Sequence, residues 1–204
     1  MVFQWGPGFC RSPGSNCNTP SIVSNKFTIH GLWPSNHSEP QPNECIKSNA
    51  KGGSLDPAKL PTKLITNLMT SWPSYRGTSA RFWKDQWSKH GTCSFNRFDQ
   101  IQYFNLAFNN WSGMGLYDLL KSEKIEPGTQ NAPNTYDKNK FIEAIKKHRF
   151  KDEVTVTPLF YCNNNIDLTE IRMCLDDDGF QYMNCTGTSP KLMDTCGQQI
   201  EWYK

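Results

Sequence analysis

Within one short stretch, residues 81–94 (RFWKDQWSKHGTCS), the chain brings together a histidine with a lysine directly before it, a cysteine and three aromatic residues. A second stretch, residues 27–35 (FTIHGLWPS), places another histidine in similar company. His30 and His90 are each followed by glycine and surrounded by aromatics that can keep water away from an imidazole. Such surroundings suit proton transfer near neutrality, one ring taking a proton while the other gives one. Taken singly, each also fits a structural histidine. His37 lies inside an Asn-His-Ser sequon and His148 inside a basic run (KKHRF), so both read as exposed side chains. Lys89, beside His90, is either a fixed positive charge for an anionic intermediate or a solvated lysine. Trp33, Trp83 and Trp87 either stack on bases and sugars or fill the core. Metal-ligand spacings and spare thiols are absent, as are GxSxG, P-loop and HExxH motifs, so no metal or other cofactor is expected.

The elements that must position these groups follow from periodicity. Residues 2–5 read as a short strand and residues 6–18 as a turn-rich loop (GPG, PGSN) holding Cys10 and Cys17 as a local pair. Residues 26–29 (KFTI) are β-prone and put His30 where a strand gives way to a loop, a common place for catalytic groups. Residues 36–53 are polar, contain Cys45, and read as exposed loop. In residues 56–71, Leu60, Leu64, Ile65, Leu68 and Met69 recur at helical spacing, with Asp56 as cap and Pro57 as first residue. The spacing over residues 81–90 predicts a helix with Trp83 and Trp87 on one face and Gln86 beside His90. Further helices are expected at residues 98–110, with Ile101, Phe104, Leu106 and Phe108, at 116–120 and at 138–147. Residues 154–161 alternate like a strand, 168–175 like its partner, and 179–185 can add another. Helices in the middle and strands at both ends predict an α+β fold, a central antiparallel sheet with helices packed around it.

The 204 residues suit a single domain spanning 1–204. A 36% hydrophobic content excludes a disordered chain, while 14 glycines and 13 prolines predict many loops. Eight cysteines, dispersed and without a CxxC pair, read as disulfides and point to a secreted, extracellular protein. Sequons at Asn36, Asn110 and Asn184 agree with that. Met1, directly before Val2 and Phe3, reads as an initiator on a trimmed mature chain. No apolar run reaches the ~20 residues that span a bilayer. A net charge of +3 does not by itself argue for a polyanionic partner. A monomer is expected.

The blocks FTIHGLWPS and FWKDQWSKHGTC, in this order, resemble the two active-site blocks of the T-two family of secreted ribonucleases, whose plant members include the S-RNases of pollen rejection. The VFQW start, the early cysteine pair, the WPS turn at Trp72 and the late cysteines extend the likeness along most of the chain. The resemblance implies an α+β fold and metal-free cleavage of single-stranded RNA through a 2′,3′-cyclic phosphate. By position, His90 would take the 2′ proton, His30 would protonate the leaving 5′-oxygen, and Lys89 would stabilise the phosphorane. The family pattern usually has histidine and then glutamate before the second tryptophan, where this chain has Asp85 and Gln86. An amide at 86 can still hydrogen-bond to a phosphate or orient His90, but it cannot hold a proton. Resemblance also implies a base subsite of Gln4, Ser74, Arg76 and Phe82, with Trp33 beside the substrate. It pairs Cys10 with Cys17, Cys45 with Cys93, Cys162 with Cys196 and Cys174 with Cys185. The mildly basic balance favours the S-RNase branch, with a pollen F-box protein as partner, over S-like defence or scavenging enzymes. A binding protein that has lost turnover through Gln86 is the rival from another class; a storage protein has no positive feature in the sequence.

Overall fold

The computed structural model describes residues 1–18, 22–149, 156–187, 189 and 192–204. It is an α+β fold: strands β1 (Val2–Gln4) and β2 (Thr28–Gly31) come first, helices dominate the middle, and strands β4 (Leu159–Asn163), β5 (Asp167–Arg172) and β8 (Gln199–Trp202) return to the same sheet. β1 lies between β2 and β5, antiparallel to both. β4 pairs antiparallel with β5, and β8 joins β5 in parallel at one residue, Asp167 opposite Glu201. β3 (Asn134–Asp137) closes the edge against β8. A separate two-stranded ribbon joins β6 (Cys174–Leu175) to β7 (Tyr182–Met183). Sequence expectation and structure agree on the pairing of the 154–161 region with the 168–175 region. The second of these breaks after Arg172, however, because residues 174 and 175 leave the sheet for β7. Residues 154 and 155 lie outside the described residues.

The stretch 6–18 is not all loop. Its first half forms helix α1 (Gly6–Arg11), with Pro7 in the first turn, where the missing N–H costs nothing. Gly8, which suggests a turn, serves close packing instead: a Cβ there would collide with the Leu168 backbone on β5. The helix expected over 56–71 is two pieces, a single 3-10 turn at Pro57–Lys59 and α2 (Thr62–Ser71). Pro61 divides them by holding Leu60 extended. Asp56 is a cap as expected, accepting from the Ala58 N–H. α3 (Ser79–Lys89) is capped by Thr78, and α4 (Gln100–Met114) begins with a capping box between Asp99 and Gln102, a signal the sequence reading overlooked. α5 (Leu116–Ser122) and α6 (Lys138–Arg149) fall where periodicity put them. Strands β3 and β8 were not foreseen.

One apolar core runs from Met1 to Trp202, with Trp5, Phe27 and Trp202 in mutual ring contact at its centre. Four disulfides tie the periphery: Cys10–Cys17, Cys45–Cys93, Cys162–Cys196 and Cys174–Cys185. Among the described residues no helix is long and apolar enough to cross a membrane.

Candidate active site

His30 is the third residue of β2, inside the strand rather than beyond its end. Strand alternation buries Ile29 completely and turns the His30 ring to the opposite face, where it is partly exposed. Tryptophans fix the backbone behind it. The Trp83 indole on α3 donates to the Trp72 carbonyl at 2.8 Å, and the Trp72 indole donates to the His30 carbonyl at 3.1 Å. Thus α3 is linked to β2 through two buried rings.

His90 is the residue after α3, not its last turn: φ −123° and ψ −49° carry the chain off the helix while its N–H still donates to the Gln86 carbonyl. The ring thereby swings onto Trp33. It stacks on that indole with centroids 5.0 Å apart and an interplanar angle of 29°. His30 meets the same indole edge-on, also at 5.0 Å. The two histidines, far apart in sequence, therefore share one aromatic partner.

Trp33 is itself anchored. Its Nε1 donates to Oε1 of buried Gln86 at 2.9 Å. Gly31 allows the approach, since a Cβ there would collide with both partners. Helical spacing predicts Gln86 beside His90; the His90 N–H donates to the Gln86 carbonyl, and the Gln86 side-chain oxygen accepts from Trp33, the indole on which the His90 ring stacks. Lys89 is exposed, and its carbonyl accepts from the Glu44 N–H at 3.0 Å, next to the Cys45–Cys93 bridge. Beside His90 and Trp33 opens a cavity of about 290 Å³, also lined by Gln41, Asn96, Arg172 and Asp177.

On the other side of His30, Phe82 lies 6.0 Å from the imidazole. Phe9 of α1, which sequence reading passed over as loop, lies 6.5 Å from it and carries Arg76 over its face at 5.1 Å. Of the expected base-subsite residues, Phe82 and Arg76 thus come to the His30 side. Ser74 is buried and its hydroxyl is occupied by the Arg76 backbone. Gln4 is buried on β1, in register with Thr28 and Glu170. Tyr75, below them, shares a hydrogen bond with Thr28 at 2.9 Å, and burial pushes its phenol up to about 12.

The group that sequence reading missed is Glu170. Its Oε1 lies 2.5 Å from His30 Nδ1, while its Oε2 accepts from Arg172 Nε at 2.8 Å and Nη2 at 2.6 Å. Burial alone would raise this carboxyl, but the charges and hydrogen bonds of His30 and Arg172 outweigh it and hold the group at about 2. The available signal was an acidic residue in mid-strand, sharing the face of Leu168 and Arg172. Nothing local pointed to His30.

The sequon asparagines differ. Asn36 is exposed and donates to the Pro40 carbonyl; Asn184 is exposed and accepts from the Thr157 N–H. Asn110 on α4 donates through Nδ2 to both Leu106 and Gly179 carbonyls, each at 3.0 Å. His37 meets Thr186, and His148 pairs with Glu123 at 2.6 Å, both away from the paired imidazoles.

Two imidazoles and one amide thus meet a single indole, with Lys89 next to His90 in the chain, on a disulfide-tied α+β fold. The chain belongs to the Ribonuclease T2 family, which it matches over residues 1–185. It is 31% identical to Ribonuclease S-2 of Antirrhinum hispanicum, covering 98% of this chain and 80% of that one. It is 30% identical to a ribonuclease-like storage protein of Panax ginseng, over 91% of this chain and 73% of that one. Its fold matches ribonuclease MC1 of bitter gourd seeds, with a TM-score of 0.80 to a mutant form at 28% identity, covering 98% of this chain and 96% of that. The same mutant of that ribonuclease, in complex with 5′-GMP, matches with a TM-score of 0.77 at 27% identity and the same coverage.

Proposed function

We propose that this ribonuclease cleaves single-stranded RNA endonucleolytically by transphosphorylation, leaving a 2′,3′-cyclic phosphate and a 5′-hydroxyl. The observation that carries the reading is the placement of His30 and His90 against the same indole, 5.0 Å from each. Phosphodiester cleavage needs a base at the 2′-hydroxyl and an acid at the 5′-oxygen, on opposite sides of one phosphorus. In this reading His90 is the base, His30 the acid, and Lys89 a charge for the dianionic phosphorane. Gln86, its oxygen engaged by Trp33, has its two amide N–H donors for a phosphate oxygen. Trp33, Phe82 and Arg76 hold the bases and backbone, with Gln4 and Ser74 shaping the subsite from beneath. A ribonuclease of the same family solved with 5′-GMP supports nucleotide binding on this fold.

The chain is read as a single ribonuclease domain, 1–204, acting as a monomer. Its four disulfides support secretion to an extracellular, oxidising compartment, with glycans on exposed sequons. Similarity to Ribonuclease S-2 supports a role as the pistil determinant of self-incompatibility, with a pollen F-box protein as partner. An S-like defence or scavenging role is equally compatible with the same chemistry.

A second reading rests on Gln86, which stands where the resemblance implies a glutamate, and on the similarity to a ribonuclease-like storage protein. Here the fold is kept and turnover reduced. The deciding experiment is cleavage of dinucleoside phosphates in EDTA by the wild type, His90→Ala and Gln86→Glu. The first reading expects cyclic phosphate from the wild type and a loss of at least ~100-fold in His90→Ala. An inert wild type that Gln86→Glu restores would establish the second.

A further inference from the structure

We infer that Glu170 is a positioning residue for His30, and that Arg172 holds Glu170 in place to do it. This rests on the reading of His30 as the general acid. In the sheet, Glu170 on β5 is in register with Gln4 on β1, and Gln4 with Thr28 on β2. The carboxylate therefore reaches over the intervening strand, whose register shifts between Val2 and Phe3, to meet His30 at 2.5 Å.

The two oxygens have separate tasks. Arg172 directs both Nε and Nη2 onto Oε2, which leaves Oε1 to the imidazole. Arg172 is in turn packed over the rings of Trp33 at 5.0 Å and Tyr161 at 3.3 Å, so it links the carboxylate to the indole that carries both histidines. An ionised carboxylate has no proton to donate, so the hydrogen in this contact belongs to His30 Nδ1. That settles the tautomer, and Nε2 becomes the atom that exchanges a proton with substrate.

The 2′-oxygen bonds to phosphorus as its proton passes to His90. The bond from phosphorus to the 5′-oxygen breaks with its electron pair on oxygen, and His30 Nε2 supplies the proton to that oxygen. His30 ends neutral, its Nδ1–H still on Glu170. Before the step the imidazole faces the carboxylate through Nδ1.

The test compares two substrates. A dinucleoside phosphate has an alkoxide leaving group that needs a proton; a ribonucleoside 3′-(4-nitrophenyl phosphate) releases a phenolate that does not. Glu170→Gln is expected to lower kcat on the first roughly 10- to 100-fold, approaching the range of a lost general acid, with KM nearly unchanged. On the aryl ester it should lower kcat no more than ~2-fold, and in a His30→Ala background it should add nothing. Glu170→Asp keeps the charge beside Arg172 but shortens the reach to Nδ1, and it should reproduce the selective loss if the glutamine variant folds poorly. Equal losses on both substrates, or an undiminished effect in His30→Ala, would overturn the positioning role alone. A wild type inert on both substrates, or a His30→Ala variant as active as wild type, would remove the parent reading and this inference with it.

Discussion

Acid stability offers the sharpest test of the ion pair beneath His30. Glu170 is buried, its side chain 8% exposed, and its carboxyl is held at about 2 against an ordinary 4.5. A carboxylate whose pKa is depressed on folding contributes stability that is complete above the unfolded pKa and fades as pH falls through the folded one. The window is therefore pH 4.5 down to about 2. A depression of this size, at ~1.36 kcal/mol per unit, corresponds to about 3 kcal/mol. Glu170→Gln removes the titrating group and leaves its cationic neighbours uncompensated. At pH 5 it should cost stability, and the difference from wild type should shrink by about 3 kcal/mol on going to pH 2. Urea unfolding followed by tryptophan fluorescence, every half unit across the window, reads this directly. Other carboxylates titrate alike in both proteins and cancel in the difference. Staying below pH 5 also avoids the range in which imidazoles ordinarily titrate. A difference that stays constant from pH 5 to 2 would refute the argument, because Glu170 would then not be ionised by its partners in the folded state.

Three further outcomes are expected. Replacing Cys45 and Cys93 together by alanine opens a loop with a sequence separation of 48, which should cost about 4 kcal/mol in urea unfolding and loosen the Lys89 end of α3. Peptide mapping of material from a eukaryotic secretory host should find glycan on Asn36 or Asn184 and none on Asn110, whose amide nitrogen already serves two carbonyls; Asn110→Ala should cost about 1 to 3 kcal/mol. Gln86→Leu leaves the Trp33 indole N–H without its acceptor, a penalty of about 1 to 3 kcal/mol. If the same energy is lost from the transition state, kcat/KM on a dinucleoside phosphate falls by ~5- to ~150-fold.

Much of the site was legible because it is local. His90, Lys89 and Gln86 fall within a few residues of one another, and the apolar spacing around Trp83 and Trp87 suffices to place them at the end of a helix. What spacing did not reveal was that His90 would step off that helix and stack on Trp33, the indole that donates to Gln86. α1 escaped notice because Gly6 and Gly8 suggest turns, whereas Gly8 is there to admit the Leu168 backbone. β3 and β8 escaped because each is four residues long, too short for alternation to stand out from loop.

The sequence by itself determined the chemical inventory: two histidines in matched aromatic settings, a lysine and an amide beside one of them, cysteines in even number, and helices with clear apolar faces. These depend on residue types and on neighbours within a turn or two, where the periodicity of a helix or strand dictates who meets whom. Only the tertiary structure decided that Glu170, 140 residues from His30, would share its proton, that Phe9 would line the other side, and that Asn110 would be tied to Gly179. Such contacts depend on strand register and on how elements cross, and a shift of one residue in the β1–β5 pairing would turn Glu170 to the opposite face of the sheet.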